Sequence, residues 1–452
     1  MRNRLCAVAA ILALVIGDAT AQDAPPLREL PPSGAEPFGA SFFTPNDRPE
    51  PMLGPPHGAL ADAVAPRGWS GLPSILAPCS EFFSCAASDE AWCPPEFSTW
   101  LTAEWLIGRA RGTSLVPVVT TGPASAGVLA GAIGQPTTVP LFGGRRVLND
   151  WRSGLRVETG MWFDADRTSG ASGRFYSLFS ASDRLSLRPD GTTVVNVPQF
   201  AQAGAAVVQF PAFVGFPGLT TGSVDALART TFLGGDFNLR RLIGRGEGYR
   251  VELFGGYRHM YLRDELNATF AARPLGIDPT LAPQLTGSDY LSTRNNFGGP
   301  QIGLYASTGG KRFLLEAHAA TALGVTVSDI EYTRARAVGV GPPGSPLTVA
   351  AALVALGVPL ATAAQVAAVV NQAPFNQAAV NESRTYFGVV GEGGVRAKWF
   401  VSDNVRLTAG YSFVYWNNVR RGPGEFTNTG MLNARATDFT THLFSAGLEV
   451  RY

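Results

Sequence analysis

The chain carries little charge and almost no lysine. Of 452 residues only 16% are Asp, Glu, Lys or Arg, the formal net charge is +1, and Lys311 and Lys398 are the only lysines. A nucleic-acid footprint needs a clustered basic excess, so no nucleic-acid partner is expected. A disordered polyelectrolyte would need far more charge. Histidine is scarce too: His57, His259, His318 and His442. There is no G-x-S-x-G, no H-E-x-x-H and no phosphate loop, so the sequence offers no nucleophile elbow, no zincin pair and no nucleotide cradle. We expect no enzyme and no cofactor. Cysteine is also sparse. Cys6 lies in the first apolar run, and Cys79, Cys85 and Cys93 follow with a C-x5-C-x7-C spacing that is not a zinc pattern. Three cysteines in an oxidising compartment imply one local disulfide and a spare thiol, or an intermolecular bond.

What the chain does have is glycine, 52 residues, and 10% aromatics, which suit close-packed strands with aromatic girdles at a membrane interface. Residues 1–21 combine Arg2 and Arg4, an apolar core from Leu5 to Gly17, and Ala19-Thr20-Ala21, the pattern of a secretory signal peptide cleaved after Ala21. Cys6 is too early and too poorly flanked to be a lipoprotein cysteine. Residues 22–97, with Pro pairs at 25/26, 31/32, 55/56 and 94/95, read as an extended linker.

From residue 98 onward the pattern has a period of two. In the last stretch, Phe444, Ala446, Leu448, Val450 and Tyr452 share one parity and Ser445, Gly447, Glu449 and Arg451 the other. Such a strand faces lipid on one side and a polar interior on the other. Ten segments of this kind are expected: Trp100–Arg109, Gly154–Phe163, Gly173–Ser180, Thr231–Leu242, Arg250–Leu262, Asn296–Ser307, Arg312–Val325, Arg384–Phe400, Val405–Val419 and the terminal strand. Connections alternate short and long. The long ones include Gly112 to Asp150, Ala181 to Arg229 and Glu331 to Glu382. That alternation predicts an all-β transmembrane antiparallel barrel of about ten to twelve strands, with short periplasmic turns and long outer loops. An eleventh and a twelfth strand could hide within Thr192 to Val214. The uncharged run Leu347 to Val370 is broken by Gly357 and Pro359, so two short Ala-rich helices are expected in the loop 331–382, either folded into the lumen as a plug or packed above it.

Parity assigns the inward polar candidates: Glu104, Arg156, Glu158, Asp236, Arg240, Glu252, Arg258, Glu316, His318, Glu392, Arg396, Lys398, Arg406, Glu449 and Arg451. They mix both signs. In a narrow lumen they pair into a structural network; in a wider one they line a pore. His318 and Glu316, two apart on one face, form a polar lumen pair, and His442 sits at the interface.

Several short runs then recur in a fixed order: A-E-W-L at 103–106, V-T-T-G-P at 119–123, L-F-G-G at 141–144, R-S-G at 152–154 and G-M-W-F-D at 160–164. G-G-D-F-N at 234–238, G-G-Y-R at 255–258, E-A-H-A-A-T-A-L-G at 316–324 and G-Y-S-F-V-Y-W-N-N-V-R-R at 410–421 complete them. In these the chain resembles the seventh putative beta-barrel porin family of planctomycete bacteria. It departs where Gly422-Pro423-Gly424-Glu425-Phe426 replaces the family's Pro-Gly-Asp-Gln run. The resemblance implies a barrel in the outer membrane and carries over no catalytic or binding residues. Two functions remain open: passage of small polar solutes, or a non-conducting structural or surface-binding (adhesin or receptor) barrel. The expected partners are outer-membrane lipids and the barrel-insertion machinery, which would read the strand ending at Tyr452.

Overall fold

The computed structural model describes residues 98–203, 206–276, 284–339, 377–425 and 436–452. Ten strands close into one barrel: β1 Ser98–Ala110, β2 Trp151–Trp162, β3 Ser169–Leu187, β4 Thr220–Gly246, β5 Tyr249–Pro274, β6 Gln284–Gly309, β7 Phe313–Gly339, β8 Gln377–Phe400, β9 Val405–Val419 and β10 Thr437–Arg451. Each strand pairs antiparallel with the next in sequence, and β1 pairs with β10 from Trp100↔Arg451 to Ala110↔Thr441. At that seam the Tyr452 N–H donates to the Thr99 carbonyl at 2.9 Å. Where all ten strands pair, closure leaves no sheet edge unpaired, which is the condition for strands to stand in lipid.

Residues 163–168, 247–248, 310–312 and 401–404 make the turns at one end, and the described residues 111–150, 188–203, 206–219, 275–276 and 420–425 belong to the connections at the other. The outer loops are narrower than the sequence pattern indicates. β3 continues to Leu187, β4 already starts at Thr220, β7 runs to Gly339 and β8 starts at Gln377. The stretch 263–295, which the pattern leaves without a strand, is strand as far as Pro274 and again from Gln284. The hairpin expected near 192–214 exists, as Val195–Ala203 and Ala206–Gly215, but it lies outside the ring. It joins Val119–Thr121 and Val139–Phe142 in a separate four-stranded sheet, so the barrel stays at ten strands. The signal segment, the linker with its cysteines and the run 347–370 lie outside the described residues.

β4 to β7 are long enough to form two walls in succession. Below, the outward face is apolar, with Phe237, Leu239, Tyr257, Ile302 and Leu304 exposed. Above, the outward face carries Asp225, Arg229, Arg263, Glu265, Asn267, Thr269, Arg294 and Glu331, and the inward face is Val224, Ala226, Ala228, Leu266, Ala268, Phe270, Leu291 and Ile330. Outward apolar rows mark the lipid-facing wall; outward polar rows mark a wall standing in water. The outer sheet of loop strands packs against the upper wall's inner face, through Val119, Phe142, Val195, Val197, Ala212 and Val214.

Candidate functional site

The interior of the lipid-facing wall divides into tiers. The lowest is ionic. Inward parity on β1, β2, β8, β9 and β10 sets Glu104 against Arg156 at 2.6 Å and Arg396 at 3.2 Å, with the Thr408 hydroxyl donating at 3.0 Å. Arg396 also reaches Glu158 at 3.1 Å. Lys398 bridges Glu316 at 2.7 Å and Glu449, and Glu449 further accepts from Arg406 at 3.2 Å and Arg451 at 2.7 Å. Gly447 is small because a Cβ there would lie 2.0 Å from the Ala103 carbonyl and would crowd Glu104.

A second lobe centres on Glu392. Arg174 donates to it at 2.6 Å and to Asp236 at 2.7 Å, Arg258 donates to it at 2.6 Å, and His318 Nε2 lies 3.1 Å away. His318 therefore meets Glu392 on the neighbouring strand; Glu316, on its own strand, turns to Lys398 instead. Gly394 leaves room for the imidazole, since a Cβ there would lie 2.6 Å from it. Towards the turn end, Arg240 pairs with Glu252 at 2.7 Å, and its guanidinium lies over Tyr305 at 4.5 Å and beside the Trp100 and Trp162 rings. Arg250 joins the same Glu252. A vestibule of about 350 Å³, lined in part by Trp100, Arg240, Tyr305, Arg406 and Arg451, opens at this end. Between the lobes lies a smaller cavity of about 40 Å³, which is room for a few waters.

All fifteen polar positions picked by parity thus point into the barrel, each within one of these clusters. Two members escaped the sequence reading, Arg174 and Arg250. Arg174 was legible: it has the parity opposite to the outward Phe175 and Phe179. Removing one partner of a buried pair leaves an uncompensated charge, so the lattice is held together by mutual need more than by net gain.

Above the ions lies an apolar tier. Leu106, Leu178, Phe232, Met260, Leu262, Phe297, Val390, Val414, Trp416 and Phe439 form one cluster, each fully buried. The Phe232 and Phe439 rings lie 4.8 Å apart and Phe297 meets Trp416 edge-on at 6.1 Å. The Trp416 indole N–H donates to the Thr326 hydroxyl at 3.0 Å, satisfying its one polar atom.

A polar tier follows. The segment 420–425 folds inward from the outer connection: Asn295 accepts the Arg420 N–H at 2.8 Å and donates to its carbonyl at 2.8 Å, while Arg421 pairs with Asp264 and donates to the Arg111 carbonyl at 3.1 Å. Arg152, a further buried guanidinium, stands in the same tier.

Outside the membrane wall Asp164 and Asp289 are among the carboxylates held below their ordinary range. In the turn 163–168, Asp164 accepts the Thr168 and Ser169 N–H groups and both hydroxyls, which draws its carboxyl down to about 2. In the upper wall, burial pushes the Asp289 carboxyl up, but Arg336 and Arg334 outweigh it and hold it below the usual carboxylate range. Arg334 donates to it at 2.9 Å and Tyr332 at 3.1 Å. Arg336 also donates to Gln199 at 2.8 Å, tying the wall to the outer hairpin.

With this architecture in view, the family model described as Putative beta barrel porin-7 (BBP7) matches residues 100–439. The chain belongs to this family. It is an outer-membrane β-barrel of the porin kind. Among solved structures it is similar to the outer-membrane protease OmpT from Escherichia coli, at 11% identity and a TM-score of 0.39, covering 80% of this chain and 99% of that one. A FadL homologue from Pseudomonas aeruginosa matches at 9% identity and a TM-score of 0.19, covering 78% and 90%. The P. putida toluene transporter TodX matches at 7% identity and a TM-score of 0.15, covering 79% and 90%. No curated protein matches the chain.

Proposed function

We propose that this barrel stands closed, as a structural and surface-presenting member of the outer membrane whose upper wall and loop sheet form its working face. One observation carries the reading: fully buried Phe232, Phe297, Trp416 and Phe439 fill the lumen side by side. An ion crossing that tier would shed its hydration shell against hydrocarbon, and apolar constrictions of this kind stop conduction by dewetting. Beneath it the charged side chains pair with one another across the lumen. Family membership supports a second reading, passage of small polar solutes, which requires the apolar tier to part. The vestibule at the turn end is the feature that favours it.

Single-channel recording of the refolded chain in a planar bilayer separates the two. Silence from the intact protein, and stable steps from a Phe232→Ala/Phe439→Ala variant, are the expected outcomes. Stable steps from the intact protein would establish the porin reading. Larger steps from a chain lacking residues 347–370 would then make that run the plug. The proposal includes no catalytic step, since the sequence offers no nucleophile elbow, zincin pair or nucleotide cradle. The lipids around the apolar wall and the machinery that inserts barrels, reading the strand ending at Tyr452, remain the proposed partners.

A further inference from the structure

Buried guanidinium groups normally have every donor engaged, since Arg keeps its proton and an isolated buried charge is very costly. Arg152 departs from this. It is 7% exposed, and its Nε, Nη1 and Nη2 are all buried without a hydrogen-bond partner. Its charged neighbours are Arg421 and Asp264. Asp264 is already paired with Arg421, and the third arginine of the tier, Arg420, reaches Glu382 at 3.3 Å. Among the described residues of this tier one cation is therefore left over, and it is Arg152.

The surplus is not the only open valence in the tier. Arg421 Nη2, Asp264 Oδ1, Thr230 Oγ1 and Thr293 Oγ1 are also buried and unpartnered. The register sets Thr230 and Thr293 directly beside Asp264 on either side, all three buried on the inward face. Apolar clusters lie below, with Phe232 and Leu262, and above, with Ala228 and Leu266. Water could satisfy hydrogen bonds at these atoms, but it supplies no countercharge.

We propose that the polar tier holds one small oxyanion of the inorganic phosphate class between Arg152 and Arg421. An oxyanion offers several acceptor oxygens to the free guanidinium donors and to the two threonine hydroxyls, in charge-assisted bonds. Asp264 Oδ1 selects within the class. It can only accept, so it needs a proton on the ligand; hydrogen phosphate carries one at neutral pH, whereas sulfate and chloride carry none and would meet a bare carboxylate oxygen.

Equilibrium dialysis of the refolded full chain in detergent, with radiolabelled inorganic phosphate in chloride buffer at neutral pH, tests this. One phosphate is expected per folded chain, resisting an excess of sulfate. Arg152→Gln should bind at least about tenfold more weakly, having lost the charge-assisted donors, while in phosphate-free buffer it should unfold at no lower temperature than the parent chain. In heat-modifiable migration, phosphate should raise the unfolding temperature of the parent chain only. Asp264→Asn should let sulfate compete. No saturable phosphate retention by the folded parent chain would overturn the proposal, and this needs no variant to fold. Retention unchanged in Arg152→Gln would also overturn it. Equal displacement by sulfate in the parent chain would overturn the phosphate class.

Discussion

The two walls built from β4 to β7 share one backbone alternation and opposite side-chain chemistry. In β5, Tyr257 and Leu253 face outward below while Glu252 and Arg258 face inward; above, Asn267 and Thr269 face outward while Leu266 and Phe270 face inward. Inward parity never changes along the strand. What changes is the medium on each side: lipid outside and ions inside below, water outside and an apolar loop sheet inside above. A strand is therefore not polar or apolar on a given face by its own nature. It takes the polarity of what it meets, and the inversion, near Phe232 in β4 and Asp264 in β5, locates the membrane boundary on the sheet.

The largest way to break this comparison is to remove the anion at the centre of the lower wall. Glu392→Ala leaves two buried guanidiniums, Arg174 and Arg258, with Asp236 as the one carboxylate they still share, at an expected cost of about 3–5 kcal/mol. Denaturant unfolding of the refolded barrel measures it. A cost under about 1 kcal/mol would mean that water reaches those guanidiniums freely, and the ionic tier would not be a dry lattice.

The next tests the outward faces against each other. Leu239→Arg puts a charge on the lipid side of the lower wall, where Leu239 is 58% exposed, and should cost about 2–4 kcal/mol if it stands near mid-membrane. Thr269→Arg makes the same kind of change on the upper wall, where it should stay within about 0.5 kcal/mol. Equal costs at both sites would erase the boundary argued here.

That inversion also explains what the sequence could and could not reveal. Trp105 and Ile107 in β1, or Phe444 and Leu448 in β10, announce lipid-facing strands because large apolar residues recur at period two against Glu104 and Glu449. The upper halves of β4 to β7 send a weaker signal. Their inward residues are often small, as with Ala226, Ala228 and Ala268, and their outward ones are the polar types that loops use, so 263–295 looked like a connection. Parity supplied which side chains point inward. It could not supply partners, because Arg174 and Glu392 meet across a closed ring and His318 chose Glu392 over the nearer Glu316. The apolar tier was missed for a related reason: Phe232, Phe297 and Phe439 share inward parity with polar neighbours, and an aromatic in a barrel strand is more readily assigned to lipid.

The smallest effect sharpens the upper wall alone. Asp289 is held below the usual carboxylate range by Arg336 and Arg334. Its unfolded value is about 3.9, so the stability it contributes is fully present above that value and is lost as pH falls through the lowered folded value. Asp289→Asn should cost about 1–2 kcal/mol at neutral pH, the scale of charge-assisted bonds that are partly replaced, and should flatten this part of the acid dependence. Because Arg336 also holds Gln199, the loss should appear first where the outer hairpin docks. Limited proteolysis of intact barrels as pH is lowered reads that location: in the parent chain cleavage near 199–210 should rise before the barrel itself unfolds, and in Asp289→Asn it should already be raised at neutral pH. Simultaneous loss of both walls would show that they unfold as one unit, and the upper wall would then owe its stability to the barrel below and not to its own apolar inner face.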